Sequence, residues 1–136
     1  MDRIDHKGID HIGLAVADLE AAKRAYVQGL GLRLILEEEV PEQKVRLLKV
    51  AAGDGVLELL ESTDPEGPVG KFLERKGPGV HHIALKVADL RETLQMLKER
   101  GIRLIDETPR IGAGGKSIAF IHPKETGGIL IELTEG

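Results

Sequence analysis

The chain states one segment twice. Ile9-Asp10-His11-Ile12-Gly13-Leu14-Ala15-Val16-Ala17-Asp18-Leu19 returns as Val80-His81-His82-Ile83-Ala84-Leu85-Lys86-Val87-Ala88-Asp89-Leu90. The ends of the two copies also agree, with Val56-Leu57-Glu58-Leu59 answered by Leu130-Ile131-Glu132-Leu133. At 136 residues the chain is one domain's worth. The repeat refines this to one domain, 1–136, built from two similar modules, 8–62 and 79–135, joined by a connection at 63–78.

Residues 9–16 alternate with period two. Ile12, Leu14 and Val16 share one face, while His11, Gly13 and Ala15 share the other. Asp18 is placed to cap a helix over 19–29 that Gly29 and Gly31 stop. Strands are expected at 32–38, 44–50 and 56–61, with Gly53-Asp54-Gly55 as a turn. A short helix at 69–76 lies in the connection. The second copy repeats the order: strand 80–87, cap Asp89, helix 90–100, then strands at 103–106, 117–121 and 129–133. Each module therefore reads βαβββ, an α+β arrangement. Each helix is expected to cover the aliphatic face of its own sheet, and the opposite faces to pair into one larger curved sheet around a cleft. Glu58 alternates with Leu57 and Leu59, and Glu132 with Ile131 and Leu133. Alternation thus puts His11, Glu58, His82 and Glu132 off the helix-packed face. Two His and two Glu at equivalent places form the ligand set of a divalent metal site, and neutral imidazole with carboxylate suits Zn, Fe, Mn, Co or Ni. Glu58 is also placed to be a neighbour of the metal rather than a ligand.

Composition narrows the alternatives. Hydrophobic residues make up 41% and aromatics 2%, so the core is aliphatic and base stacking is a poor binding mode. The net charge is −4 with no basic stripe, which disfavours nucleic acid. There is no Cys, which excludes disulfides, thiolate metal sites and Cys nucleophiles, and fits a cytoplasmic protein. No apolar run approaches a membrane span of about 20 residues. Met1-Asp2-Arg3-Ile4-Asp5-His6-Lys7 has no apolar region of the kind a secretory signal needs.

The remaining motifs are secondary. His81 points to the other side of its strand, so the repeat selects His82. His6 has no counterpart in the second copy. His122 precedes Pro123 in a turn and suits capping or binding. The loop Gly112-Ala113-Gly114-Gly115-Lys116 is either a flexible hairpin connection or a lid whose backbone N–H groups and Lys116 hold an anionic substrate. It precedes a strand, so it is not a phosphate-binding P-loop.

Further segments carry a resemblance: Val40-Pro41-Glu42-Gln43-Lys44-Val45, Gly79-Val80-His81-His82-Ile83-Ala84, the glycine loop, Phe120-Ile121-His122-Pro123-Lys124, and Gly128-Ile129-Leu130-Ile131-Glu132-Leu133. With Ile9-Asp10-His11-Ile12, they make the chain resemble the vicinal oxygen chelate superfamily over nearly its whole length. This is the glyoxalase and extradiol dioxygenase fold, and the methylmalonyl-CoA epimerases are the most similar group within it. The resemblance implies a divalent metal on His11, Glu58, His82 and Glu132, with Co2+ first and Mn2+, Zn2+ or Ni2+ as alternatives. It implies interconversion of (R)- and (S)-methylmalonyl-CoA by C2 proton abstraction, through an enolate whose charge the metal stabilises. Glu132 is the first choice as base, Glu58 the candidate on the other side, and Lys116, Gly114, Gly115 and Gln43 the substrate-binding residues. It also implies an acyl-CoA substrate and a homodimer. The chain departs from the pattern at two positions. Some epimerases carry Gln where this chain has Glu58, and some carry a Glu acid/base where it has Leu47, which cannot transfer a proton. The alternatives are a glyoxalase I-type lactoylglutathione lyase and an Fe(II) extradiol-type dioxygenase. The scarcity of aromatic residues argues against the latter.

Overall fold

The structure is a computed structural model that describes residues 3–136. Met1 and Asp2, the head of the stretch read above for a signal segment, lie outside the described residues. The elements run β1 (His6–Ala15), α1 (Leu19–Lys23) continuing as a π-helical stretch (Arg24–Gly29), β2 (Arg33–Val40), β3 (Val45–Ala52) and β4 (Gly55–Ser62). Then follow α2 (Pro68–Lys76), β5 (Gly79–Val87), α3 (Leu90–Glu99), β6 (Arg110–Ile111), β7 (Ser117–Ile121) and β8 (Ile131–Glu135). No helix among the described residues is long and apolar enough to cross a membrane. The chain divides into two compact units, one being His11–His81 and the other the residues up to Asp10 together with His82–Gly136.

In the His11–His81 unit the strand order is β2-β3-β4-β1. β1 joins β4 in parallel, with Gly13 opposite Glu58, and β3 joins β4 antiparallel, with Lys49 opposite Glu58. One sheet face carries Leu14, Val16, Leu34, Leu48 and Leu59, which pack under Leu19, Ala22 and Tyr26 of the helix. Burial of these aliphatic side chains, at about 25 cal/mol per Å2, holds helix to sheet. The other unit repeats the plan with β5-β8-β7-β6. There β5 joins β8 in parallel and β7 joins β8 antiparallel, putting Ala84 and Phe120 on either side of Glu132. Val87, Ala119, Ile121 and Leu133 form its aliphatic face under Leu90, Leu94 and Leu97 of α3. The βαβββ order in each unit is the α+β arrangement that the repeat predicts.

Both helix starts are tied down twice. Asp18 Oδ1 accepts from Ala21 N at 3.2 Å, and Asp89 Oδ1 accepts from Glu92 N at 3.0 Å. These are the expected caps. In addition, Glu61 Oε2 accepts from Leu19 N and Glu135 Oε1 from Leu90 N, each at 2.7 Å. A helix leaves its first N–H groups without internal partners, so each of these carboxylates satisfies a donor that would otherwise be stranded beside the core. The two copies share one pattern, Glu58-Leu59-Leu60-Glu61 and Glu132-Leu133-Thr134-Glu135. The first Glu faces away from the helix, and the last Glu caps it.

Three expectations need correction. The helix after Asp18 is α-helical only to Lys23, and then widens so that Leu30 N donates to Ala25 O at 2.8 Å. The strand expected at 103–106 is reduced to one bridge, Leu104 to Ile121. Side chains take the ladder's places there: Asp106 Oδ2 accepts from Phe120 N at 2.9 Å, and Glu125 Oε2 accepts from Arg103 N at 2.6 Å. The short strand instead forms at Arg110–Ile111, against Ser117 and Ile118. The last strand starts at Ile131, two residues later than the expected 129.

Candidate metal centre

Alternation places the candidate ligands as predicted. On β1, β4, β5 and β8, the residues packed against the helices are Leu14, Leu59, Leu85 and Leu133, so the neighbouring His11, Glu58, His82 and Glu132 face the other way. All four are buried, only 3–5% exposed. In the His11–His81 unit, His11 Nε2 lies 3.6 Å from Glu58 Oε2. In the other unit, His82 Nε2 lies 3.5 Å from Glu132 Oε1. The same geometry has been kept in both copies.

These distances bear on whether the residues suit a metal. Both exceed the usual N–H···O hydrogen bond of about 3 Å. Two donors on one ion, with bonds of roughly 2.1 Å, stand about 3.0–3.4 Å apart. Each His–Glu pair is therefore spaced nearer to two ligands sharing an ion than to a hydrogen bond of ideal length. Carboxylates buried this deeply are costly unless paired or bound to a cation. His11, His82 and Glu132 constitute a buried His/His/Glu group that could hold a metal ion. The donor set fits a divalent transition ion.

The other sequence candidates fall in separate places. Lys116 Nζ is 3.4 Å from Asp10 Oδ1, within its own unit. Gly114 and Gly115 adopt φ of 69° and 76° in a tight turn, a conformation that favours glycine. Gln43 ends a short helical turn after β2, and its Nε2 is buried without a hydrogen-bond partner. A buried amide donor left in that state is a candidate for meeting a ligand atom. His122 acts as a cap, its Nδ1 accepting from Lys124 N at 3.1 Å. His81 stands edge-on to Phe72 with ring centres 5.1 Å apart. Burial pushes its imidazole down to about 4, and the Arg75 charge adds to the shift.

Two site residues escaped the sequence reading. Lys49 is 7% exposed, and its Nζ lies 3.9 Å from Glu58 Oε2, the same oxygen that faces His11. The signal was available: a Lys on the same side of β3 as Leu47, inside an otherwise apolar run. Phe120 occupies the matching place in the second copy and meets His82 edge-on, with centroids 5.9 Å apart.

Comparison with known proteins agrees with this geometry. Residues 10–120 match the Glyoxalase/Bleomycin resistance protein/Dioxygenase superfamily. The chain is 48% identical over 127 residues to the uncharacterized protein YqjC of Bacillus subtilis (strain 168), covering 93% of this chain and 91% of that one. The crystal structure of methylmalonyl-CoA epimerase from Mycobacterium tuberculosis superposes with a TM-score of 0.93 at 38% identity, covering 99% of this chain and 91% of that one. A methylmalonyl-CoA epimerase in complex with methylmalonyl-CoA and NH4+ superposes with a TM-score of 0.92 at 36% identity, covering 98% and 96%. With its repeated βαβββ plan and its buried His/His/Glu group, the chain has a glyoxalase-like fold and belongs to the Glyoxalase/Bleomycin resistance protein/Dioxygenase superfamily.

Proposed function

We propose that this protein is a metal-dependent epimerase that interconverts (R)- and (S)-methylmalonyl-CoA as a single domain over 1–136. The observation that carries the reading is the buried His–Glu pair repeated at 3.6 and 3.5 Å. Two relatives at 38% and 36% identity that bear the epimerase name support the choice of substrate. The ion would be held by His11, His82 and Glu132, with Glu58 as the fourth neighbour of the site. Co2+ is the first choice by family resemblance. When bound, such an ion supplies Lewis-acid stabilisation of oxyanion charge.

The substrate's C2 proton lies between a thioester and a carboxylate and is already acidified by both. A carboxylate base is enough to remove it, and inversion requires a proton to be returned on the opposite face. Glu132 takes the proton on one face, and Glu58 stands for the other. Their origin in equivalent strands suits that division. Leu47 is fully buried and offers no proton, so this chain relies on groups other than the third-strand acid. Lys116, Gly114 and Gly115 bind the substrate carboxylate in this scheme, and Gln43 offers its unpaired amide to a substrate oxygen. A homodimeric, cytoplasmic enzyme completes the proposal.

The test is C2 hydrogen exchange of methylmalonyl-CoA in D2O, using metal-stripped protein before and after Co2+ is added. Exchange that appears only with metal is the expected result. No exchange with any divalent ion, despite stoichiometric binding, would refute the epimerase reading and favour a lactoylglutathione lyase or oxygenase substrate.

A further inference from the structure

We propose that Arg110 is a specificity-determining residue that receives the free carboxylate of a malonyl-type acyl thioester, so that the site selects against thioesters lacking that carboxylate. The proposal rests on the epimerase reading above and names the residue that sets its substrate class. Arg110 lies on β6 and pairs across the ladder with Ile118, two residues before Phe120 on β7. Its guanidinium carbon stands over the Phe120 ring, 5.3 Å from the centroid. Phe120 lies directly across from Glu132 and meets His82 edge-on, with centroids 5.9 Å apart. The cation is thereby carried onto the sheet face that bears His82 and Glu132. It sits over a residue one strand spacing, about 4.8 Å, from Glu132.

The guanidinium is held in place with donors to spare. Asp106 Oδ2 accepts from Phe120 N at 2.9 Å, and Asp106 Oδ1 lies 3.5 Å from Arg110 Nε, so one carboxylate fixes both the strand and the cation above it. That ion pair is longer than a charge-assisted hydrogen bond of about 2.7–2.9 Å, and Nε is buried without a hydrogen-bond partner. Nε is enclosed, which leaves the two terminal nitrogens as the donors for a ligand. They form a planar fork that matches a carboxylate, and the ring stack and Asp106 lower the entropic cost of using it. Lys116, the other basic residue of the β6–β7 hairpin, presents a point charge and stands 3.4 Å from Asp10. The reaction calls for a cation beside Glu132. The carboxylate of a malonyl thioester is bonded directly to C2. A base at Glu132 that reaches the C2 proton therefore also draws the substrate's negative charge up to its own. Glu132 is only 4% exposed, so water screens that repulsion poorly. A fixed guanidinium offsets it for a carboxylated substrate and offers nothing to a neutral acyl group.

The experiment is calorimetric titration of the protein, with Co2+ added, using methylmalonyl-CoA and propionyl-CoA, which differ by that one carboxylate. Arg110→Met is expected to weaken methylmalonyl-CoA binding by roughly tenfold or more and to change propionyl-CoA binding by less than about twofold. Arg110→Lys keeps the charge and loses the fork, and is expected to weaken methylmalonyl-CoA alone, by at least about threefold. Equal weakening of both thioesters by Arg110→Met would overturn the proposal, because it places Arg110 against the CoA portion or in a purely structural role. So would a methylmalonyl-CoA affinity that neither variant changes, or a parent protein that binds the two thioesters equally. If Arg110→Met does not fold, Arg110→Lys decides by the same comparison. A parent protein that binds methylmalonyl-CoA without exchanging its C2 hydrogen refutes the epimerase activity and leaves the carboxylate comparison standing. A parent protein that binds neither thioester overturns both.

Discussion

Replacing Glu135 with Ala removes the acceptor for the first N–H of α3 without touching the core beneath it. The bond at stake is Leu90 N to Glu135 Oε1, 2.7 Å long and partly buried. A hydrogen bond to a charged group contributes about 1.5–3 kcal/mol, and a carboxylate at a helix N-terminus adds roughly 0.3–1 kcal/mol through the helix dipole. Asp89 remains in place and holds Glu92 N, so the rest of the cap survives. The expected loss is therefore about 2 kcal/mol, or a fall in Tm of roughly 8 °C for a chain of this length. Glu135→Gln keeps a neutral acceptor and is expected to lose about half as much. Glu107→Ala is the control. Its side chain is 75% exposed, in a long pair with Lys98, and an exposed pair contributes about 0–1 kcal/mol. The assay is denaturant and thermal unfolding of the three variants beside the parent protein. If Glu135→Ala matched Glu107→Ala within about 0.5 kcal/mol, the idea that the last strand holds the helix start through this carboxylate would be wrong.

Two further outcomes follow from other parts of the molecule. Gly70→Ala would bring a Cβ to 2.6 Å from Asp64 O and 2.7 Å from Pro65 O. This should cost about 1–3 kcal/mol in unfolding measurements despite alanine's better helix propensity, and a gain in stability would contradict the close approach. His81 binds its proton at about 4 in the fold, below the ordinary 6.5. Between those values the unfolded chain takes up a proton that the folded one refuses, so stability is full above 6.5 and declines as pH falls toward 4. His81→Gln in metal-free protein should flatten that part of the pH profile, and an unchanged slope would show that other groups set it.

The repeat made much of the molecule legible because it states each element twice. Period-two alternation beside an Asp cap is enough to orient His11 and His82, since one slip of register would turn every residue of the strand over. The segment at 103–106 could not be read the same way. Its apolar residues suggested a strand, but Asp106 and Glu125 supply side-chain acceptors where backbone pairing was expected. Propensity does not register such substitutions. Lys49 escaped because a lysine in a strand is ordinarily solvated, and only the register shows it opposite Glu58. The capping Glu61 and Glu135 were visible in outline as a repeated Glu-x-x-Glu. Their partners lie 42 and 45 positions away, beyond the reach of local pattern.

The π-helical stretch from Arg24 to Gly29 marks one place where the two copies differ in length. Gly31 and Gly101 both turn the chain with φ near 75°, but Gly31 lies thirteen positions after Asp18 and Gly101 twelve after Asp89. A widened helical turn accommodates one additional residue without displacing either end of the helix. The first copy therefore carries its extra residue as an internal bulge, between a cap and a stop that correspond to those of the second. An insertion or deletion at this point in the history of the duplicated segment would leave β1 and β2 where they are.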